Sequence, residues 1–276
     1  MWKRIKDWLG PWVQVILLVV VFVIPIIFNG CYWIHLIFDN QSLNFENIKF
    51  YFLMQFGNVA IGVFFAFLLL LKLRHANEKK VLNTGKEYHQ HSYVGYMLCS
   101  SFLGYKKCRL IRVPIAMQFK LVIRDTFSEY DYGEDDDYKK IDNESINVQL
   151  PESRYTNTIN LVLSDTYPIN TKMLPVNIGS LTTVWISRNN SIDSSRCFST
   201  RFCETVRNTI HHLPSNVNSV NLFSTLNPKH CYWIARNVFK MGGRSNIKTL
   251  FVFPQSYNNN TWNFDEMGVK IFTETE

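Results

Sequence analysis

No C-x-x-C pair occurs anywhere in the 276 residues. Without one, Cys31, Cys99, Cys108, Cys197, Cys203 and Cys231 do not make up the usual thiolate zinc sets, and no metal is expected. G-x-G-x-x-G and the Walker A sequence are missing, which excludes the common dinucleotide fingerprint and the P-loop phosphate cradle. G-x-S-x-G, H-E-x-x-H and the kinase signatures are missing too, so no nucleophile, metalloprotease or phosphoryl-transfer machinery can be read and no enzyme is expected. Internal repeats and long low-complexity tracts are absent. The most telling absence is of charge in two long stretches.

Trp12–Phe28 has Gln14 as its one polar side chain, and Tyr51–Leu71 has Gln55 and Asn58; neither carries a charge. A bilayer core about 30 Å thick needs about 20 mostly apolar helical residues, and only helices satisfy the backbone of a short chain crossing it. Both stretches are therefore expected to span a membrane. Lys3, Arg4 and Lys6 precede the first, and Lys72, Arg74, Lys79 and Lys80 follow the second. Between them Asn29–Phe50 holds Lys49 against Asp39 and Glu46. The positive-inside rule puts both termini in the cytoplasm of a multi-pass inner-membrane protein. A cleaved signal peptide fits poorly, because no A-x-A-like site follows the first stretch. A lipoprotein site at Asn29-Gly30-Cys31 fits poorly as well. Cys31 falls on the far side, where a free or interchain thiol can exist. The net charge of +7 is explained by the juxtamembrane clusters, so no nucleic-acid polymer is implied as a partner.

Met1–Gly10 reads as an interfacial helix, with Trp2 and Trp8 at headgroup depth. In the second stretch Gln55, Asn58, Gly62 and Ala66 fall on one helical face. They form either a helix-packing surface or a polar seam lining a pore in an oligomer. This divides the chain into 1–80, a two-helix membrane region, and 81–276, a cytoplasmic α/β domain. Glu78–Gln90 reads as a linker that contains His89. Cys108–Arg124 reads as strands, with Pro114 at an edge or bulge. The acidic run in Glu129–Glu144 lacks EF-hand spacing and reads as a solvated loop.

From residue 158 onward strands and helices alternate. Thr158–Leu163, Thr183–Ser187, Ser219–Phe223 and Thr249–Phe253 are short buried-type strands, and Val269–Phe272 is a peripheral one. Ser199–Leu213 and Lys229–Lys240 read as helices, with Ser199 as an N-cap. His211-His212 suits that helix's C-terminus. This alternation implies a mostly parallel sheet with right-handed crossovers, and ligands of such sheets bind beyond the carboxyl ends of the strands. The residues there are Asp165 after the first strand, Arg188 and Asn189 after the second, and Ser224, Thr225, Asn227 and Lys229 after the third. Pro228 is placed to open a helix. Hydroxyls, amides and cations converging at three strand ends suit a phosphate-bearing ligand.

The run Val220–Pro228, the following helix with Ile234-Ala235, and Thr249–Phe253 resemble the closing half of a SAVED domain, a relative of CARF domains. The resemblance covers Thr158–Ser256. It departs from the family at Lys229-His230-Cys231, where a small-residue helix face is common. It implies a Rossmann-like cytoplasmic α/β domain that senses cyclic di- or oligonucleotides in CBASS anti-phage defence. Joined to two spans, such a sensor is implied to be an effector that oligomerises and disrupts the inner membrane. The alternative is a membrane-tethered scaffold that binds a protein partner and no small ligand.

Overall fold

Leu9–Ile27 forms helix α1 and Gly57–Asn77 forms helix α3. Both are long and apolar enough to cross a membrane. The computed structural model describes residues 9–38, 48, 56–133, 145–151, 155–179, 181–189, 197–240, 246–258 and 261–273. Gln55, the segment before Leu9, the acidic run 134–144 and Gly242-Gly243 lie outside these. The chain divides into two compact units, one of residues 1–87 with 94–108, the other of 88–93 with 109–276.

In the first unit, α3 runs six residues past the expected end at Leu71, through Lys72, Arg74 and His75 to Asn77. Charge ends the apolar stretch, but it does not end a helix whose backbone bonds continue. The segment between the two apolar stretches is not simply a loop: Gly30–Phe38 forms helix α2. Asn29, in the left-handed region at φ 49, turns the chain from α1 into it. Asn58 serves this turn, its Oδ1 accepting from the Cys31 N–H at 2.9 Å and its Nδ2 donating to Asn29 Oδ1 at 3.2 Å. Gly62 faces the Phe22 carbonyl so closely that a Cβ there would overlap it. Ala66 lines the apolar groove between α1 and α3. Thus Asn58, Gly62 and Ala66 all act within this one chain's helix pair. At the charged end, the amide of Asn77 donates to Gln14 Oε1 at 2.7 Å and to the Leu103 carbonyl at 2.9 Å, so a buried polar side chain is satisfied. Val81–Leu82 (β1), read as linker, pairs in parallel with Lys107–Cys108 of strand β2 (Lys107–Arg109). Tyr93–Met97 (α4) continues into a π-turn, Leu98–Phe102.

In the second unit a sheet of six strands combines Ser145–Gln149 (β3), Thr158–Ser164 (β4), Thr183–Asn189 (β5), Ser219–Ser224 (β6), Thr249–Phe253 (β7) and Val269–Thr273. A hairpin, Gln255–Asn258 (β8) and Thr261–Phe264 (β9), precedes the last of these, β10. The order is β10-β7-β6-β4-β5-β3; the four central strands are parallel and both edges antiparallel. The four expected parallel strands and the peripheral one are all present. Strand β3 and the hairpin were not foreseen, being mostly exposed or short. Thr200–His211 (α6) follows its Ser199 cap, whose Oγ accepts from the Phe202 N–H at 2.9 Å. At its other end the His212 ring bonds the Asn208 carbonyl at 2.7 Å.

Cys108–Arg124 is not a pair of strands. Ile115–Ile123 is helix α5, and Pro114 is its N-cap rather than a bulge. A proline's missing N–H costs nothing at a helix start. Ala116, Phe119 and Val122 recur at helical spacing on the buried side, a pattern too short to tell from a strand by periodicity alone. Helix α7 (Pro228–Ile234), extended by a π-turn through Phe239, packs against both α5 and α6. His89 is fully buried, its N–H donating to the Arg112 carbonyl at 2.8 Å, so the end of the expected linker is part of this unit. The opposite sheet face carries Val162, Ile169, Leu174, Phe223, Phe253 and Phe264, with Phe223 stacked on Phe253 at 4.5 Å.

Candidate functional site: a buried carboxylate at the sheet switch point

The parallel strands run in the order β5-β4-β6-β7, so the connections leaving β4 and β6 depart in opposite directions. In doubly wound sheets the carboxyl-end crevice between two such strands is where ligands sit. Here that place is held by Asp165–Tyr167 after β4 and Thr225–Asn227 after β6.

Thr225 joins the two loops. Its Oγ1 accepts from the Asp165 N–H at 3.0 Å and donates to the Tyr167 carbonyl at 2.8 Å. Its carbonyl accepts from the Thr166 hydroxyl at 2.6 Å and from the Thr166 N–H at 3.2 Å. Asp165 then gathers partners from three segments. Its Oδ1 lies 2.7 Å from Arg188 Nη2, with both side chains essentially sealed from solvent. Its Oδ2 accepts from the Asn227 N–H at 3.0 Å, from Asn227 Nδ2 at 3.0 Å and from His230 Nδ1 at 2.7 Å. The second Asn227 amide hydrogen goes to the Cys197 carbonyl at 2.8 Å, and Asn227 Oδ1 caps α7 by accepting from the His230 N–H at 2.9 Å.

The protonation of His230 follows from its partners. The Ser199 N–H donates to Nε2 at 2.8 Å, so that nitrogen presents its lone pair. A proton on Nδ1 is therefore aimed at Asp165. Phe198 and Phe202 flank the ring at 5.2 and 5.3 Å. Burial works to raise the pKa of Asp165. The contact with His230, then the Arg188 charge and the Asn227 N–H, outweigh it, and the net direction is downward. The centre is an ionised carboxylate paired with a guanidinium.

Of the residues singled out from the sequence, Asp165, Arg188, Thr225 and Asn227 meet in this cluster. Ser224 ends β6 beside them, 2% exposed. Lys229, the second residue of α7, has its Nζ 4.5 Å from the centre of the Phe198 ring and is only half-buried. Asn189 is the last residue of β5, and its side chain is outside the described residues. The sequence reading missed His230 and the Cys197–Ser199 segment. The signal for His230 was its place three residues after Asn227, where an N-cap side chain and the first helical turn face each other. Nothing local points to residues 197–199, which the chain brings in from before α6. Among the described residues no three His, Cys, Asp or Glu side chains form a metal-holding group.

Two helices long and apolar enough to cross a membrane, followed by a mostly parallel sheet with a polar switch point, define the class as an α/β protein with two candidate spans. The chain belongs to the SMODS- and ubiquitin system-associated 2TM effector domain family, whose model matches residues 2–267. That span takes in the helix pair and every strand of the sheet except β10. No curated protein matches it in sequence. Among solved structures, it is similar to the Acinetobacter baumannii Cap4 SAVED/CARF-domain containing receptor with the cyclic trinucleotide 3'3'3'-cAAA. Identity is 8% and the TM-score 0.43, over 68% of this chain and 46% of the receptor. The same receptor with 2'3'3'-cAAA gives 8% and 0.44, over 64% and 42%. The chain thus spans less than half the length of that receptor.

Proposed function

We propose that this protein is a CBASS effector of the bacterial inner membrane, with both termini cytoplasmic, whose α/β unit binds a cyclic di- or oligonucleotide at the β4/β6 switch point. The observation that carries the reading is that one effector family covers the apolar helix pair together with all of the sheet but its edge strand β10. In this reading the unit is a receptor and not a catalyst. Asp165 occupies the anion position of the crevice as a tethered carboxylate. A nucleotide phosphate engages Lys229 at the rim and competes with Asp165 for Arg188. The loops that Thr225 joins then separate, and the liganded units oligomerise, so that the spans assemble and permeabilise the membrane. A ligand that binds the open state about 100-fold more tightly supplies about 2.7 kcal/mol per subunit toward this change.

The test is dye release from liposomes containing the full-length protein, challenged with a panel of cyclic di- and trinucleotides. Release with one of them supports the reading and names the ligand. Lys229→Ala should weaken the response about tenfold while leaving the unliganded melting temperature unchanged. No release and no thermal shift with any of them would favour the tethered scaffold.

A further inference from the structure

The segment 94–102 of the first unit has two unlike faces. Tyr96, Cys99 and Leu103 point inward and are fully buried. On the outer side Val94, Met97, Leu98 and Phe102 are 69%, 47%, 39% and 44% exposed. The π-turn from Leu98, closed by the Leu103 N–H on the Leu98 carbonyl at 3.0 Å, holds Leu98 and Phe102 on the same side. Four large apolar side chains in one exposed row are an unusual surface for water to cover.

The place where this row is fastened says what covers it. Arg74 Nη1 donates to the Ser101 carbonyl and, at 2.9 Å, to the Phe102 carbonyl. Asn77 holds the Leu103 carbonyl. Gly104, at φ +79, sits so near Arg74 that a Cβ would come within 2.9 Å of its Cα. Arg74 is three residues beyond Leu71, the end of the uncharged stretch, about 5 Å further along the helix axis. The segment is therefore pinned at the level where α3 changes from apolar to charged, which is headgroup depth if α3 spans. Phe102 also lines the groove of about 390 Å³ formed with Leu18, Phe22, Val63, Ala66 and Leu70. The exposed row is thus continuous with the apolar surface of the helix pair, and Lys72, Lys79 and Lys80 flank Arg74 in the sequence.

We infer that residues 94–102 are a third membrane-contacting element, an interfacial helix that lays Val94, Met97, Leu98 and Phe102 into the acyl boundary of the lipid leaflet at the basic end of α3. Any displacement of this segment would be transmitted to α3 through Arg74 and Asn77. The inference rests on the reading that α1 and α3 cross the membrane, and its test separates the two.

The full-length protein is reconstituted in phosphatidylcholine–phosphatidylglycerol vesicles that contain a phospholipid with a diazirine in its acyl chain. After irradiation, adducts are mapped by mass spectrometry. Adducts are expected on α1, on α3 and on 94–102. In the double variant Met97→Asp, Phe102→Asp, whose altered side chains are exposed, the 94–102 adducts should be lost and those on α1 and α3 kept. Labelling of α1 and α3 alone in the native chain would overturn the interfacial helix and leave the spans standing, with a protein surface as the cover of the row. Labelling of none of the three would overturn both.

Discussion

At the scale of single residues, Asp165 decides the most. It is ion-paired with Arg188 of β5 and accepts hydrogen bonds from the loop after β6 and from α7. Removing one partner of a buried pair strands the other, at a cost of about 3 kcal/mol or more. Asp165→Asn keeps the shape and removes the charge, so the detergent-solubilised protein should lose about that much stability at pH 7 in a denaturant titration. The folded-state pKa of Asp165 lies below its unfolded value. Its contribution is therefore present above the unfolded carboxylate value of about 3.9 and is lost as pH falls through the folded one. The gap between native and Asp165→Asn proteins should accordingly narrow as the titration is repeated below about pH 4; a gap independent of pH would show that charge is not its source. Ser199 makes a smaller, separable contribution. Ser199→Ala removes the bond to the Phe202 N–H but leaves the Ser199 backbone donor to His230, and it should cost about 1 kcal/mol.

Among the elements, the pair α1–α3 depends on close approach and on two amides. Gly62 lets the backbone of Phe22 come near, and Asn58 caps the turn into α2. Gly62→Ala should push the helices apart and cost about 1 to 3 kcal/mol, the usual range for overpacking. It should appear as a lower melting temperature of the reconstituted protein, whereas Gly10→Ala, which meets nothing within 4 Å, should be silent. The periodicity that put Asn58, Gly62 and Ala66 on one face was legible from spacing alone. That this face is occupied by α1 and α2 of the same chain was not, because spacing does not name the neighbour. Helix α5 failed for a related reason: Ile115–Ile123 is nearly all apolar, and both periods fit so short a run.

For the whole molecule, the α/β unit and the apolar pair lie in one chain, and the proposed signal is a ligand-dependent rearrangement of the sheet's carboxyl end. A ligand at 100 times its Kd should raise stability by about 2.7 kcal/mol in native protein. Arg188→Ala should lower stability without ligand and also abolish that increment, while Lys229→Ala should affect only the increment. Thermal shift with the nucleotide identified by dye release checks both. If Arg188→Ala retained the full increment, the guanidinium would be a structural partner of Asp165 and no part of the ligand site.

Sequence by itself determined the two apolar helices and the four parallel strands, because absence of charge and continuous buried runs are local properties that tertiary context rarely overrides. It also brought Asp165, Arg188, Thr225 and Asn227 to the right edge of the sheet, since parallel strands put their carboxyl ends together. Tertiary structure alone decided that these side chains face one another around a buried carboxylate, that His230 and Ser199 complete the set, and that residues 94–102 join the helix pair. Each of those depends on segments far apart in the chain meeting at hydrogen-bonding distance, and no pattern within any one segment encodes that.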